Sequence, residues 1–356
     1  MESIKIDNRF EGANPFHEDW ITKVGDNSYI IFPFSEDNTN NYKFRLDIKF
    51  INNDENAQRV DLEIDWRDEE FNDYRDILYI KNERSSWEVK KVVQKDGKTL
   101  ARFELMPGET YVALSPKYSL SDLSEFLKRS PNHASLKKSV ISNTSKGRNI
   151  WLVSSTIAKI KNKKKLLFSA RVHPYETAPS YIVEGLIDFL CKPEAKHFVD
   201  AYEIYVLPMV CPDGVADGCC RLSGLENGLD LSREIDSNDN FTSIYLNLID
   251  DIKPDFYLEF HNWMLKDFDG MFYVNALQAM KLLKGFKINM PDCLQKKWKM
   301  GFKYKLLART PYGLKRYCKE KYNTKVLTLE IPWYGRDIDD MKKIGHFILP
   351  AVERLL

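Results

Sequence analysis

The chain of 356 residues is 43% apolar and 29% charged, ordinary for a soluble globular protein, and long enough for about two domains. Its 53 basic and 52 acidic side chains leave a formal charge of +1, which excludes an overall field for drawing in nucleic acid or an anionic membrane. The 16 glycines and 15 prolines are too few for long disordered or collagenous stretches. No apolar run reaches the ~18 residues of a membrane span, and MESIKIDNRFEG lacks the apolar core of a secretory signal.

Residues 1–115 alternate apolar and polar with period two, the pattern of half-buried strands. Tyr42, Phe44, Leu46, Ile48 and Phe50 fall on one face, and Lys43, Arg45, Asp47 and Lys49 on the other, wet one. Val60, Leu62, Ile64 and Trp66 alternate in the same way with Asp61, Glu63 and Asp65. Further strands are predicted near 77–81, 87–93, 100–106 and 110–114, separated by KNERSS, KDGK and MPGE turn chemistry. This segment reads as an N-terminal antiparallel β-sandwich domain.

After Pro116 the pattern changes. A short helix is predicted over 121–128, then a polar Ser/Asn/Lys-rich connector up to about 149. Strands near 150–155, 166–171, 203–208, 255–260, 271–274 and 326–330 alternate with helices near 178–191, 242–251, 276–284 and 340–355. Residues 116–356 therefore read as an α/β domain on a parallel or mixed sheet, where functional groups collect at the carboxyl ends of strands. KIKNKKK (159–165) reads as a solvated turn, and the six scattered cysteines as reduced thiols of a cytoplasmic protein.

In LLFSARVHPYETAPSYIVEGL an apolar strand runs into His173 and Glu176, just before an amphipathic helix. An imidazole and a carboxylate three residues apart at a strand end can converge on one zinc ion. Alone, HxxE is short and common, and Glu176 there also suits a helix N-terminus. DFYLEFHNWM offers a further ligand, His261, at the end of another buried-looking strand. His17, His133, His197 and His346 fall in turns, connectors or helices with no matching carboxylate. In VLTLEIPWYG a third such strand ends at Glu330, a position that is costly for a carboxylate unless it is paired or working. Beside an activated water it is the expected general base, and a salt bridge is the plainer alternative. Arg221 and Arg233 lie in an irregular, turn-rich segment after the 203–208 strand. Their forks suit a carboxylate or a developing oxyanion, or they are simply surface charges.

In this order the motifs resemble the M14 zinc carboxypeptidases, and most of all their cytosolic carboxypeptidase branch. RVHPYET resembles that branch's RVHPGET, and PMVCPDGVADGCCRLSGLENGLDLSRE its NPDG, Arg and DLNR stretch. EFHNWM stands where the branch has His-Gly-His, and TLEIPWYG resembles its TLE segment. The matching motifs cover about 150 to 350, and a β-rich domain before the peptidase is also a trait of that branch.

The resemblance implies one zinc per chain, held by His173, Glu176 and His261, with Glu330 as general base. It also implies Arg221 at the tetrahedral oxyanion and Arg233, helped by Ser232, on the substrate's terminal carboxylate. Tyr175 replaces a glycine, Ser232 an asparagine, and Asn262-Trp263 a Gly-His pair, departures that bear on substrate preference. The expected protein is a cytoplasmic zinc metallocarboxypeptidase acting on a peptide or protein C-terminus, main-chain or branched, with no nucleic-acid or membrane partner. An amidohydrolase of acylated amino acids or cell-wall peptides, and a silent peptide-binding relative, are the alternatives. The branch includes enzymes that remove glutamates. Arg309, Lys315, Arg316, Lys319, Lys321 and Lys325 could line an acid-selective pocket, but read first as solvated charge.

Overall fold

Period-two alternation in the first third of the chain becomes two packed sheets in the structure, a computed structural model. It describes residues 3–14, 20–33, 36, 45–66, 76–83, 85–130, 136–155, 163–226, 228–235, 238–263, 267–273, 275–302 and 312–356. The strands are β1 (Ile4–Asp7), β2 (Ile21–Gly25), β3 (Ser28–Ile31), β4 (Asp47–Asn52), β5 (Gln58–Asp65), β6 (Ile77–Asn82), β7 (Glu88–Lys91), β8 (Val93–Lys95), β9 (Lys98–Leu105) and β10 (Gly108–Ala113). One sheet runs β1-β4-β10-β6-β7 and the other β2-β3-β5-β9-β8. Pairing is antiparallel except between β3 and β5, which run parallel. The inward residues of both sheets, among them Ile48, Phe50, Leu62, Ile64, Phe103 and Val112, form one buried cluster.

One expectation for this region fails, and part of another, Tyr42, Lys43 and Phe44, lies outside the described residues. Arg45, Asp47 and Lys49, read as a wet face, are only 4%, 9% and 9% exposed. That face is covered because Arg45 reaches across to the α/β part, where its Nη1 donates to the Cys219 carbonyl at 3.0 Å. Its own charge is balanced by Asp47 at 2.9 Å.

The rest of the chain forms an eight-stranded mixed sheet flanked by helices. It begins with α1 (Leu120–Arg129), started by a Ser119–Asp122 capping box. The expected polar connector is in fact a strand, β11 (Leu136–Asn143), paired with β12 (Asn149–Ser155). As the edge strand it needs no apolar run, which hides it from a pattern search. There follow β13 (Lys164–Ser169), α2 (Ala178–Leu190), α3 (Lys196–Ala201), β14 (Tyr202–Leu207), α4 (Pro212–Ala216), α5 (Asn240–Ile252), β15 (Phe256–His261) and β16 (Asp269–Tyr273). The chain closes with α6 (Ala276–Asn289), β17 (Trp298–Phe302), α7 (Leu314–Tyr322), β18 (Lys325–Glu330), α8 (Ile338–His346) and α9 (Ile348–Glu353). The single helix expected over 340–355 is thus two.

The strand order is β11-β12-β14-β13-β15-β18-β16-β17, and the four central strands β14, β13, β15 and β18 are mutually parallel. Their carboxyl ends therefore open at one edge of the sheet, at Leu207, Ser169, His261 and Glu330. α2 and α8 meet backbone to backbone: a Cβ on Gly185 would overlap the Lys342 carbonyl, and one on Gly345 that of Ile182. Residues 159–162 of the lysine-rich run lie outside the described residues.

Candidate metal centre

The loop after β13 is bent by Arg171, a fully buried non-glycine residue with φ +59°. Its guanidinium compensates that strain with hydrogen bonds to the carbonyls of Pro174 (Nε, 3.0 Å) and Tyr118 (Nη1, 2.9 Å) and to Ser180 Oγ (3.1 Å). The bend turns both His173 and Glu176 inward. His261, at the end of the neighbouring β15, meets them, and the three are only 6%, 2% and 2% exposed.

One ligand atom from each of the three lies within 4.8 Å of the others, so the group can hold a metal ion. The two Nδ1 atoms are 3.2 Å apart. Two nitrogens at about 2.05 Å from a tetrahedral ion would stand about 3.3 Å from each other, so the spacing fits zinc. Glu176 sends Oε1 to His173 Nδ1 (2.8 Å) and Oε2 to His261 Nδ1 (2.9 Å). The Asn262 backbone N–H also donates to Glu176 Oε2, at 3.2 Å.

Each histidine is backed by a carboxylate. Asp230 Oδ1 lies 3.2 Å from His173 Nε2, and Glu259 Oε2 lies 2.8 Å from His261 Nε2. With Nδ1 turned to the centre, each Nε2 faces a carboxylate to which it can donate when a metal takes Nδ1. Burial would raise the Glu176 carboxyl, but His261 and His173 outweigh it and hold it below the usual range. The same contest leaves Asp230 low, through His173 and Arg221. Burial alone would lower His261, yet Glu176 and Glu259 on either side hold it up, at about 10.

Asp230 and Glu259 are the residues that sequence reasoning missed. Glu259 is two residues before His261 on a strand and so shares its face, a spacing that could have flagged it. Asp230 opens the DLSR run that marks Arg233. Lys315 corrects the expectation of solvated charge: its ammonium is ion-paired with the fully buried Glu259 and donates to Thr328 Oγ1 at 2.7 Å. Arg309 lies outside the described residues.

The other expected residues gather round this centre to different degrees. Glu330 is registered opposite His261 across the β15–β18 pair, so the two side chains leave the sheet on one face. Arg221 is buried and grips Asp230 Oδ2 through Nη2 (2.9 Å) and Nε (3.2 Å), with Nη2 3.2 Å from His173 Nε2. Arg233 is half exposed, its Nε 3.6 Å from Asp230. The Ser232 backbone N–H donates to Asp230 Oδ1 at 3.1 Å. Tyr175 is buried with its ring stacked against His173, centroids 6.2 Å apart. Trp263 lies over Gly270, where an added Cβ would meet both its ring and the Glu330 Cβ at 2.9 Å. His17 and His133 lie outside the described residues, and His197 and His346 sit on α3 and α8. The six cysteines, all among the described residues, are not joined in disulfides.

A mixed sheet with two histidines and a glutamate at its strand ends, and a further glutamate alongside, defines the class: a metallopeptidase-like α/β domain. Residues 121–248 match the family model of the zinc carboxypeptidases, peptidase family M14. Cytosolic carboxypeptidase 1 of Danio rerio is 38% identical over 80 residues, which are 22% of this chain and 7% of that protein. Cytosolic carboxypeptidase 2 of Xenopus tropicalis is 31% identical over 191 residues, 49% of this chain and 18% of that one. The chain thus spans under a fifth of the length of either relative. A metallo-carboxypeptidase from Burkholderia cenocepacia, 18% identical, superposes with TM-score 0.81 over 99% of this chain and 98% of its own. That is a likeness of fold, and it takes in the β-rich region. The match to the M14 zinc carboxypeptidase model thus lies within residues 121–248, and the fold over nearly the whole chain is like that of a metallo-carboxypeptidase.

Proposed function

We propose that this protein is a zinc metallocarboxypeptidase that removes residues from the C-terminus of a peptide or protein, through an N-terminal β-domain (1–115) joined to a catalytic domain (116–356). The observation that carries the reading is the convergence of His173, Glu176 and His261, within 4.8 Å of one another, with Glu330 in register beside His261. When bound, zinc supplies Lewis acidity toward a carbonyl and lowers the pKa of water. Glu330 takes the proton of the attacking water and passes it to the leaving amine. The Arg221 guanidinium, held on Asp230, faces the charge that develops on the carbonyl oxygen. Arg233, half exposed, receives the substrate's terminal carboxylate, with the Ser232 hydroxyl beside it.

A cytosolic location goes with this reading, since the similar relatives are named cytosolic. Among the described residues no helix is long and apolar enough to cross a membrane. The test is turnover of matched peptides with free and amidated C-termini by the zinc-loaded protein. Cleavage of the free acids alone supports a carboxypeptidase, and equal turnover of both points to an amidase or endopeptidase.

A further inference from the structure

The β-rich region touches the loop that carries Arg221 in a way that a mere neighbour would not. Three successive backbone N–H groups, those of Cys220, Arg221 and Leu222, converge on the one carboxylate of Glu36. Cys220 donates to Oε2 at 2.9 Å, Leu222 to Oε1 at 2.8 Å, and Arg221 to the same Oε1. Successive N–H groups curled round an anion form a nest, and a charged acceptor makes each bond stronger than a neutral one. The same loop is tied at two more points. Arg45 Nη1 donates to the Cys219 carbonyl at 3.0 Å, and the Gly12 N–H donates to the Ala216 carbonyl at 3.0 Å. The side chain that leaves this fixed backbone at Arg221 is the one lying on Asp230 and beside His173.

A second contact comes from the same region. Tyr334, four residues past Glu330, donates from its hydroxyl to Asp76, whose oxygens lie 2.7 and 2.9 Å away. The adjacent Trp333 packs edge-on against Tyr79 of β6, centroids 6.1 Å apart. The β-rich region therefore grips the chain next to two of the residues given catalytic roles.

We infer that Glu36 is a positioning residue: its carboxylate fixes the 220–222 backbone so that Arg221 faces the carbonyl oxygen of the substrate, making the β-rich region a working part of the active site. The inference rests on the role proposed above for Arg221. Glu36→Gln keeps the size but sets an amide against three donors, and Glu36→Ala removes the acceptor.

Both variants should retain wild-type zinc content, lose about tenfold or more in kcat, and change KM by less than about twofold, the pattern of a lost transition-state contact. Amide hydrogen exchange at Cys220, Arg221 and Leu222 should accelerate in both, a readout independent of turnover. In an Arg221→Ala background, itself slower by about a hundredfold or more, the Glu36 variants should add almost nothing. Equal losses from Glu36→Ala in both backgrounds overturn the inference, because Glu36 would then act apart from Arg221. Unchanged exchange and kcat in Glu36→Gln, with Arg221→Ala severely slowed, overturn it while leaving the role of Arg221 intact. If Arg221→Ala turns over normally, the role of Arg221 and the inference fall together.

Discussion

The two sides of the candidate site are built to different standards. On the metal side every group is buried and doubly held: each histidine lies between a central carboxylate and an outer one, and Glu176 also accepts a backbone N–H. On the side proposed for the substrate's carboxylate, Arg233 has half its surface in water and a long contact to Asp230. A metal site gains from rigidity because its ligands must stay in place through every turnover. A substrate-binding arginine must exchange water for a carboxylate, so partial exposure and a weak resident partner suit it. Asp230 joins the two sides, touching His173, Arg221 and Arg233.

The sharpest way to break this contrast is to remove a ligand. His173→Ala or His261→Ala should reduce zinc from about one per chain to near none and abolish turnover with it. Metal content after dialysis is the measurement, and full occupancy in both variants would dismiss the site. The next largest effect separates chemistry from metal binding. Glu330→Gln keeps shape and reach but cannot accept a proton, so turnover should fall by about 10⁴-fold, the upper end for a general base. Zinc content should hold, because Glu330 is not among the three ligands. Loss of zinc would make it a ligand instead.

Much of the metal side was legible because strand ends announce themselves. An apolar run that stops at a histidine or glutamate is readable, and His173, His261 and Glu330 all follow such runs. The groups behind them were not legible. Glu259 is written between Leu258 and Phe260 like any polar interruption, and its meaning depends on Lys315 arriving from α7, 56 positions later. A carboxylate and an ammonium far apart in sequence look solvated until the fold removes their water. The covered face of β4 failed for the same reason: Arg45 and Asp47 alternate as a wet face should, and only the packing of the α/β part makes them interior. β11 was missed for the opposite reason, an edge strand being free to be polar.

The substrate side gives a smaller effect. Arg233→Ala should lower kcat/KM on free-acid peptides by about 10- to 150-fold, the equivalent of a charge-assisted contact of roughly 1.5–3 kcal/mol. Amidated peptides, already poor substrates, should hardly change. An equal loss on both would move Arg233 from recognition to structure.

The smallest effect reads the rigidity of the metal side through its protons. In the metal-free protein His261 stands between Glu176 and Glu259, which keep it protonated up to pH of about 10. Its positive charge adds stability to the metal-free fold that is complete below about pH 6.5 and lost as pH rises through 10. Zinc needs the Nδ1 lone pair, so each ion bound below pH 10 displaces one proton, and affinity should rise with pH. Between pH 7.5 and 8.5 the gain from this histidine should be about tenfold, whereas an imidazole with an ordinary pKa near 6.5 would contribute only about 1.1-fold. Chelator competition at the two pH values measures the slope. Glu259→Gln supplies the control: with one flanking charge gone, His261 releases its proton at lower pH and the slope flattens. A slope identical in wild type and Glu259→Gln would show that the outer carboxylate does not govern the histidine. The doubly held metal side would then be reduced to its three ligands.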